Sequence, residues 1–383
     1  MSDPFDIPLF RELQKLLQSG SGGPVNLELA RQVGTAVAAQ GGYEPKALPD
    51  ELRTFGEAVR EAELLVSGYT RLSTDEPLRS AAWTKAEFVA RTLEGWKWLL
   101  EGLAEKFSSE LGRLGGMSPG EEAGEAPTAL GPMSQMTPLL MGMQAGTLIG
   151  HLSTELLTRF DIPIPREDDD VLFFIPTNVD SVAVDYGFDG RSVRRWLSLH
   201  GAARQILARA VPWFDHYLRS QFSDVVDSIE LDVSDLERRM VELQTGDLSN
   251  LEGGVQSMIP LVQSDPHLAA LSRLKATVAI FEGYANHACS AVASTMVDDA
   301  PKISEGMSRH RASPSEGKSV LTSLLGISLD RTLETGAETF CAAVVKLHGI
   351  ASLNRVWEAP DSLPSLAEIK DPFQWIERVV TAD

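Results

Sequence analysis

Only two of the 383 residues are cysteines, Cys289 and Cys341, and no Cys-x-x-Cys occurs. That scarcity excludes a disulfide framework and a thiolate zinc site, and it suits a reducing compartment. Basic residues are also in deficit. Lys plus Arg number 34 against 54 Asp plus Glu, a formal net charge of −20. A surface of that sign repels a polyanion, so nucleic acid is not the expected partner, and an anionic membrane is disfavoured for the same reason. Uninterrupted apolar runs are short as well. None reaches the ~18 residues that a helical membrane span needs, and the nearest, Pro138 to Leu152, contains Gln144 and His151. Residues 1–10 carry Asp3 and Asp6 and no basic-then-apolar run, which argues against a secretion signal. A cytoplasmic location is therefore expected. Nucleotide-binding glycine patterns of the Gly-x-x-x-x-Gly-Lys-Ser/Thr or Gly-x-Gly-x-x-Gly kind are missing.

What is present is helical patterning. Hydrophobic residues make up 43% and charged residues 23%, enough apolar material for a sizeable core. Leu9, Leu13, Leu16 and Leu17 form a short amphipathic stripe that stops at the Ser-Gly-rich run 19–23. Asn26 can cap a helix through Ala39, and Pro49-Asp50 opens another with Phe55, Val59, Ala62 and Val66 inward. A further helix, from Ser80 or Thr84 to about Leu114, completes an expected N-terminal helical bundle, 1–114. Gly, Pro, Ser and Glu dominate 115–138, which reads as a linker. The rest, 139–383, reads as a second, larger helical unit. Val171 to Ile175 is the best strand candidate, so at most a small β-element is expected within a mostly α fold.

Two features invite a partner. Gly142, Gly146 and Gly150 share one face of a helix predicted over 139–160, and missing side chains let another helix approach closely. Packing within the chain is the first expectation, and a homodimer through that face is the other. The second feature is a pair of inward charges. Over 191–210, Val193, Trp196, Leu197, His200, Ala203 and Leu207 fall on one stripe, with Arg204 one turn after His200. In the helix predicted over 267–297, Val278, Phe281, Glu282, Ala285 and Cys289 form another. A carboxylate on a buried face needs a partner, because burying it alone is expensive.

Several segments in a fixed order carry a family resemblance. They are Gly22-Gly-Pro-Val-Asn-Leu-Glu-Leu-Ala-Arg31, Ala81-Ala-Trp-Thr-Lys-Ala-Glu87, Gln144-Ala-Gly-Thr-Leu-Ile-Gly150, Trp196-Leu-Ser-Leu-His-Gly-Ala-Ala-Arg204, Val211-Pro-Trp213 and Phe281-Glu-Gly-Tyr-Ala-Asn-His287. Gly336, Phe340, Trp357, Leu363-Pro364 and Asp371-Pro372 follow in the same order. This order resembles the type 2 zincin-like metallopeptidases of actinobacteria and chloroflexi. Members are described as hydrolases or zinc-dependent metalloproteases, and a sister branch is associated with deazaflavin-coenzyme biosynthesis. The resemblance implies a zincin-like multi-helical fold and a metal helix similar to His-Glu-x-x-His. There, two histidines share a zinc and the Glu polarises the attacking water.

Carried over residue by residue, His200 takes the first ligand position, Gly201 the general-base position and Arg204 the second ligand position. Glu282 is the candidate third ligand. His287 is a further candidate, about 140° round the helix from Glu282. This sequence reads His-Gly-x-x-Arg. Glycine cannot act as a base, and a guanidinium has no lone pair for a metal. The expectation is therefore a degenerate zinc site without peptidase activity, no resident cofactor, a buried Arg204–Glu282 ion pair, and a binding or scaffolding role toward a protein or peptide. Two alternatives stand beside it. One is an active zinc-dependent hydrolase with other ligands, drawn from His151, His287 or the loop Thr177 to Asp189. The other is a structural homo-oligomer subunit built on the glycine face.

Overall fold

The computed structural model describes residues 23–42, 44–114, 131–167, 170–231, 261–262, 264–313, 315–325 and 331–381. The amphipathic stripe at 9–17 and the linker residues 115–130 lie outside the described residues. Helices dominate. In chain order the first are α1 (Leu27–Ala38) and α2 (Pro49–Thr70). A three-residue strand β1 (Ser80–Ala82) precedes α3 (Lys85–Gly95), α4 (Lys97–Leu114) and α5 (Gly131–Glu155). Strand β2 (Leu172–Phe174) leads into α6 (Pro176–Asp185), α7 (Gly190–Ala210) and α8 (Phe214–Asp227). A two-residue antiparallel pair, β3 (Glu230–Leu231) with β4 (Leu261–Val262), comes before the long α9 (Asp265–Met296). The last long helices are α10 (Ala300–Ala312), α11 (Glu316–Leu325) and α12 (Arg331–His348), followed by short turns of helix to Val380. Among the described residues no helix is long and apolar enough to cross a membrane.

Local chemistry sets most of these boundaries. Asn26 caps α1 by accepting from the Leu29 N–H at 2.9 Å. Thr84 and Glu87 form a reciprocal capping box that starts α3. The helix expected from about 80 to 114 is therefore two helices, α3 and α4, broken at Trp96 and preceded by a strand. Two segments expected to be irregular are helical. Residues 131–138 form the first turns of α5, with Pro138 inside the helix, where it costs a hydrogen bond without ending the run. Residues 176–185 form α6 rather than a loop, with Pro176 at its first position, where a missing N–H costs nothing.

The strand β2 organises the interior. It pairs in parallel with β1, Ser80 opposite Leu172 and Ala82 opposite Phe174. Its alternation sends side chains into two hydrophobic clusters. Phe173 stacks on Trp83 at 4.1 Å in the first cluster. Leu172 and Phe174 enter the second, where Phe174 stacks on Phe55 of α2 at 4.3 Å. The first cluster joins Val25 and Phe107 to Phe281, Phe340 and Trp375. The second joins α2 to the inner face of α7 and the C-terminal half of α9.

The glycine face of α5 meets α1. A Cβ on Gly142 would lie 2.5 Å from the Asn26 carbonyl oxygen, one on Gly146 would collide with the Ala30 carbonyl, and one on Gly150 would lie 2.7 Å from Val37 Cβ. The Asn26 N–H donates to the Pro138 carbonyl at 2.9 Å, which ties the start of α1 to the same helix. A homodimer through this face would have to displace α1.

Candidate functional site

Three helices position the site. α2 and α9 both pack on α7, so α7 runs through the interior with little of its inner face exposed. Asp189 starts α7 by accepting from the Ser192 N–H at 2.8 Å. From that start, Trp196, His200 and Arg204 fall one turn apart on one side. Glu282 and Asn286, also one turn apart, face them from α9.

Arg204 and Glu282 are both buried, with relative exposures of 3% and 4%. Arg204 Nη2 donates to Glu282 Oε2 at 2.5 Å, and Nε donates to the two carboxylate oxygens at 3.1 and 3.0 Å. The same Nη2 also reaches Asn286 Oδ1 at 2.9 Å. Nη1 donates to the His200 carbonyl at 2.9 Å and faces His200 Nδ1 at 3.5 Å. The five guanidinium hydrogens thus have acceptors on two helices. Burial works against the charge on Arg204, and the Glu282 carboxylate more than offsets it, so its pKa is raised.

His200 lies above this pair. Its ring stacks on Trp196 with centroids 3.8 Å apart. A guanidinium can only donate, so Nδ1 is the acceptor and the ring proton sits on Nε2. Burial, and then the nearby charges of Arg204 and Arg311, hold its pKa well below the ordinary histidine value. The imidazole is therefore neutral at pH 7.

Gly201 turns toward the sheet. A Cβ there would lie 2.7 Å from Leu172 Cδ1, so β2 fills the space that a side chain at 201 would need. His287 is half-buried and shares a hydrogen bond with the Tyr69 hydroxyl through Nε2 at 2.8 Å; burial lowers its pKa. His151 Nδ1 lies 3.1 Å from a Glu316 carboxylate oxygen. Cys289 is fully buried, its sulfur 3.6 Å from the Leu199 carbonyl, and burial pushes its pKa up to about 12. A thiol so held does not ionise near neutrality. Among the described residues no three His, Cys, Asp or Glu side chains converge as metal ligands.

A cleft opens beside His200 between α7, α10 and the turn after α5. Its lining includes Trp196, Gly201 and Arg204 with Asp161, Met307 and Arg311. Sequence reasoning did not find Asn286 or Arg311. Asn286 follows Glu282 by four residues, a spacing that placed it on the same face. Arg311 had no such signal, because only the packing of α10 against α7 brings it to the cleft.

A family model described as zincin-like metallopeptidase matches residues 25–376. A solved structure from Chloroflexus aurantiacus, described as a "putative hydrolase with a novel fold", superposes with a TM-score of 0.69. The match covers 94% of this chain and 99% of that one at 20% identity, a likeness of fold. No curated protein matches.

Proposed function

Because the chain belongs to the zincin-like metallopeptidase family, we propose that it is a member in which a guanidinium takes the place of the divalent ion, and that it binds a partner without hydrolysing peptides. The observation that carries this reading is the coordination of Arg204. Its hydrogens engage both oxygens of Glu282 and face His200 Nδ1. These are atoms that a zinc would need. The family's ligand set does not fit here, since a metal between α7 and α9 would have to displace a cation already paired with the only carboxylate of the triplet. Gly201 lacks a base, and Leu172 occupies the space where one would stand. What is left is a helical scaffold with a cleft.

Elemental analysis of the purified chain, followed by calorimetric titration with zinc in chelator-free buffer, tests this. The expected result is no stoichiometric zinc and no cleavage in a peptide-library screen with or without added metal. One tightly held zinc per chain would overturn it. A second arm uses Arg204→His, which removes the resident cation and puts an imidazole one turn from His200. This variant should gain zinc binding that the parent lacks. Gly201→Glu is a poor companion substitution, because its Cβ would drive into Leu172.

A further inference from the structure

The cleft beside His200 carries donors that the ion pair does not engage. Arg311, in the last turn of α10, is half-buried, and its guanidinium carbon lies 5.8 Å from the centre of the Trp196 ring. Among the described residues no carboxylate pairs with it. The same indole stacks on His200, so one tryptophan carries both the guanidinium and the imidazole. With Nδ1 turned to Arg204, the His200 Nε2–H is left over, on a half-buried side chain that lines the cleft.

Two carboxylates also line the cleft, and both are committed elsewhere. Asp161 accepts from the Leu157 and Thr158 N–H groups at 2.5 and 2.9 Å. Glu155 accepts from the Gly317 N–H at 3.1 Å and from the Ser315 hydroxyl. Leu157, Leu197 and Met307 line the cleft too, each almost fully buried and showing only its edge.

We propose that this cleft binds a carboxylate carrying an apolar body. The planar fork of Arg311 takes the two oxygens, and His200 Nε2–H adds a further hydrogen bond. The body lies against Leu157, Leu197 and Met307. A dianionic phosphate fits less well, because its second charge would face Asp161 and Glu155 with one open cation to answer it. An ammonium is repelled by Arg311. The carboxylate can come from a small organic acid or from the C-terminus of a peptide. The proposal rests on reading the chain as a binding protein and deepens it by naming what the cleft takes.

The test is calorimetry in EDTA, so zinc chemistry plays no part, and the zinc titration described above can fail independently of this one. The probes are hexanoate, hexanamide, and N-acetyl-Gly-Leu as the free acid and as the amide. Hexanoate or the peptide acid should bind in roughly the millimolar range expected of so small a ligand. The matching amide should bind about tenfold more weakly or worse, since it lacks the charge-assisted pair. Arg311→Met should lose the preference for acid over amide, and Arg311→Lys should restore part of it. Binding of hexanoate alone assigns the site to free acids, whereas binding of the peptide acid assigns it to chain ends. Equal affinity for acid and amide, full affinity in Arg311→Met, or no heat from either acid would each overturn the proposal. The acid–amide comparison on the parent chain needs no variant, so it stands even if a substitution fails to fold.

Discussion

Arg204 shows how a cation can be buried in an acidic protein. Desolvating a guanidinium costs several kcal/mol, and the cost is answered only if its hydrogens and its charge both find partners. Glu282 supplies the charge, while Asn286 and the His200 carbonyl take the hydrogens Glu282 does not reach. The pair is therefore fragile to half-removal. Arg204→Met should lower stability by about 3–5 kcal/mol because it leaves the Glu282 carboxylate buried without its cation. Glu282→Leu should cost a similar amount. The double variant should recover most of the loss, since apolar side chains of similar volume need no partner. Urea unfolding of the four chains measures this, and additive losses would show that the two residues do not act as a pair. Both residues were legible as inward-facing charges from helical spacing. That the two meet was decided by the crossing of α7 and α9, which spacing cannot give.

At the scale of the element, glycine positions separate packing from propensity. Gly146 and Gly102 both sit inside helices, α5 and α4. A Cβ at 146 meets the Ala30 carbonyl of α1, which helix hydrogen bonds hold in place, whereas a Cβ at 102 meets nothing within 4 Å. Gly146→Ala should cost about 1–3 kcal/mol by forcing α1 and α5 apart. Gly102→Ala should be neutral or stabilising by about 0.5–1 kcal/mol, because alanine is the better helix former. Thermal melts of the two variants should move in opposite directions, and equal shifts would rule out the close α1–α5 approach as the cause. The four-residue glycine spacing was visible in the sequence, but the identity of the helix it faces was not. The helix α6 was missed for a different reason. Thr177 to Asp189 read as a loop, although Pro176 stands at the first helical position, where proline is also a start signal.

Across the whole molecule, charge and core pull in opposite directions. The formal charge of −20 favours solubility and repels the compact state from itself. Opposing it are two hydrophobic clusters that meet across β2, one of them joining Val25 to Trp375. Screening should relieve the repulsion more than it weakens the buried Arg204–Glu282 pair, because salt acts least on buried charges. The melting temperature should therefore rise as sodium chloride is raised from about 10 to about 200 mM, where the screening length falls from ~30 Å to below ~10 Å. Scanning calorimetry at fixed pH checks this. A falling melting temperature would mean that exposed ion pairs outweigh the net repulsion.

Composition and periodicity were enough for the helical character, the scarcity of strand and the inward faces of α7 and α9. Periodicity and side-chain chemistry are local, and each of these follows from residues a few positions apart. Tertiary structure decided the rest. It set the Arg204–Glu282 contact across 78 positions of chain, the covering of the glycine face by α1, the filling of the space at Gly201 by Leu172, and the delivery of Arg311 to the cleft. These depend on how helices cross, and crossing is fixed by the simultaneous fit of many side chains, which no window of sequence contains.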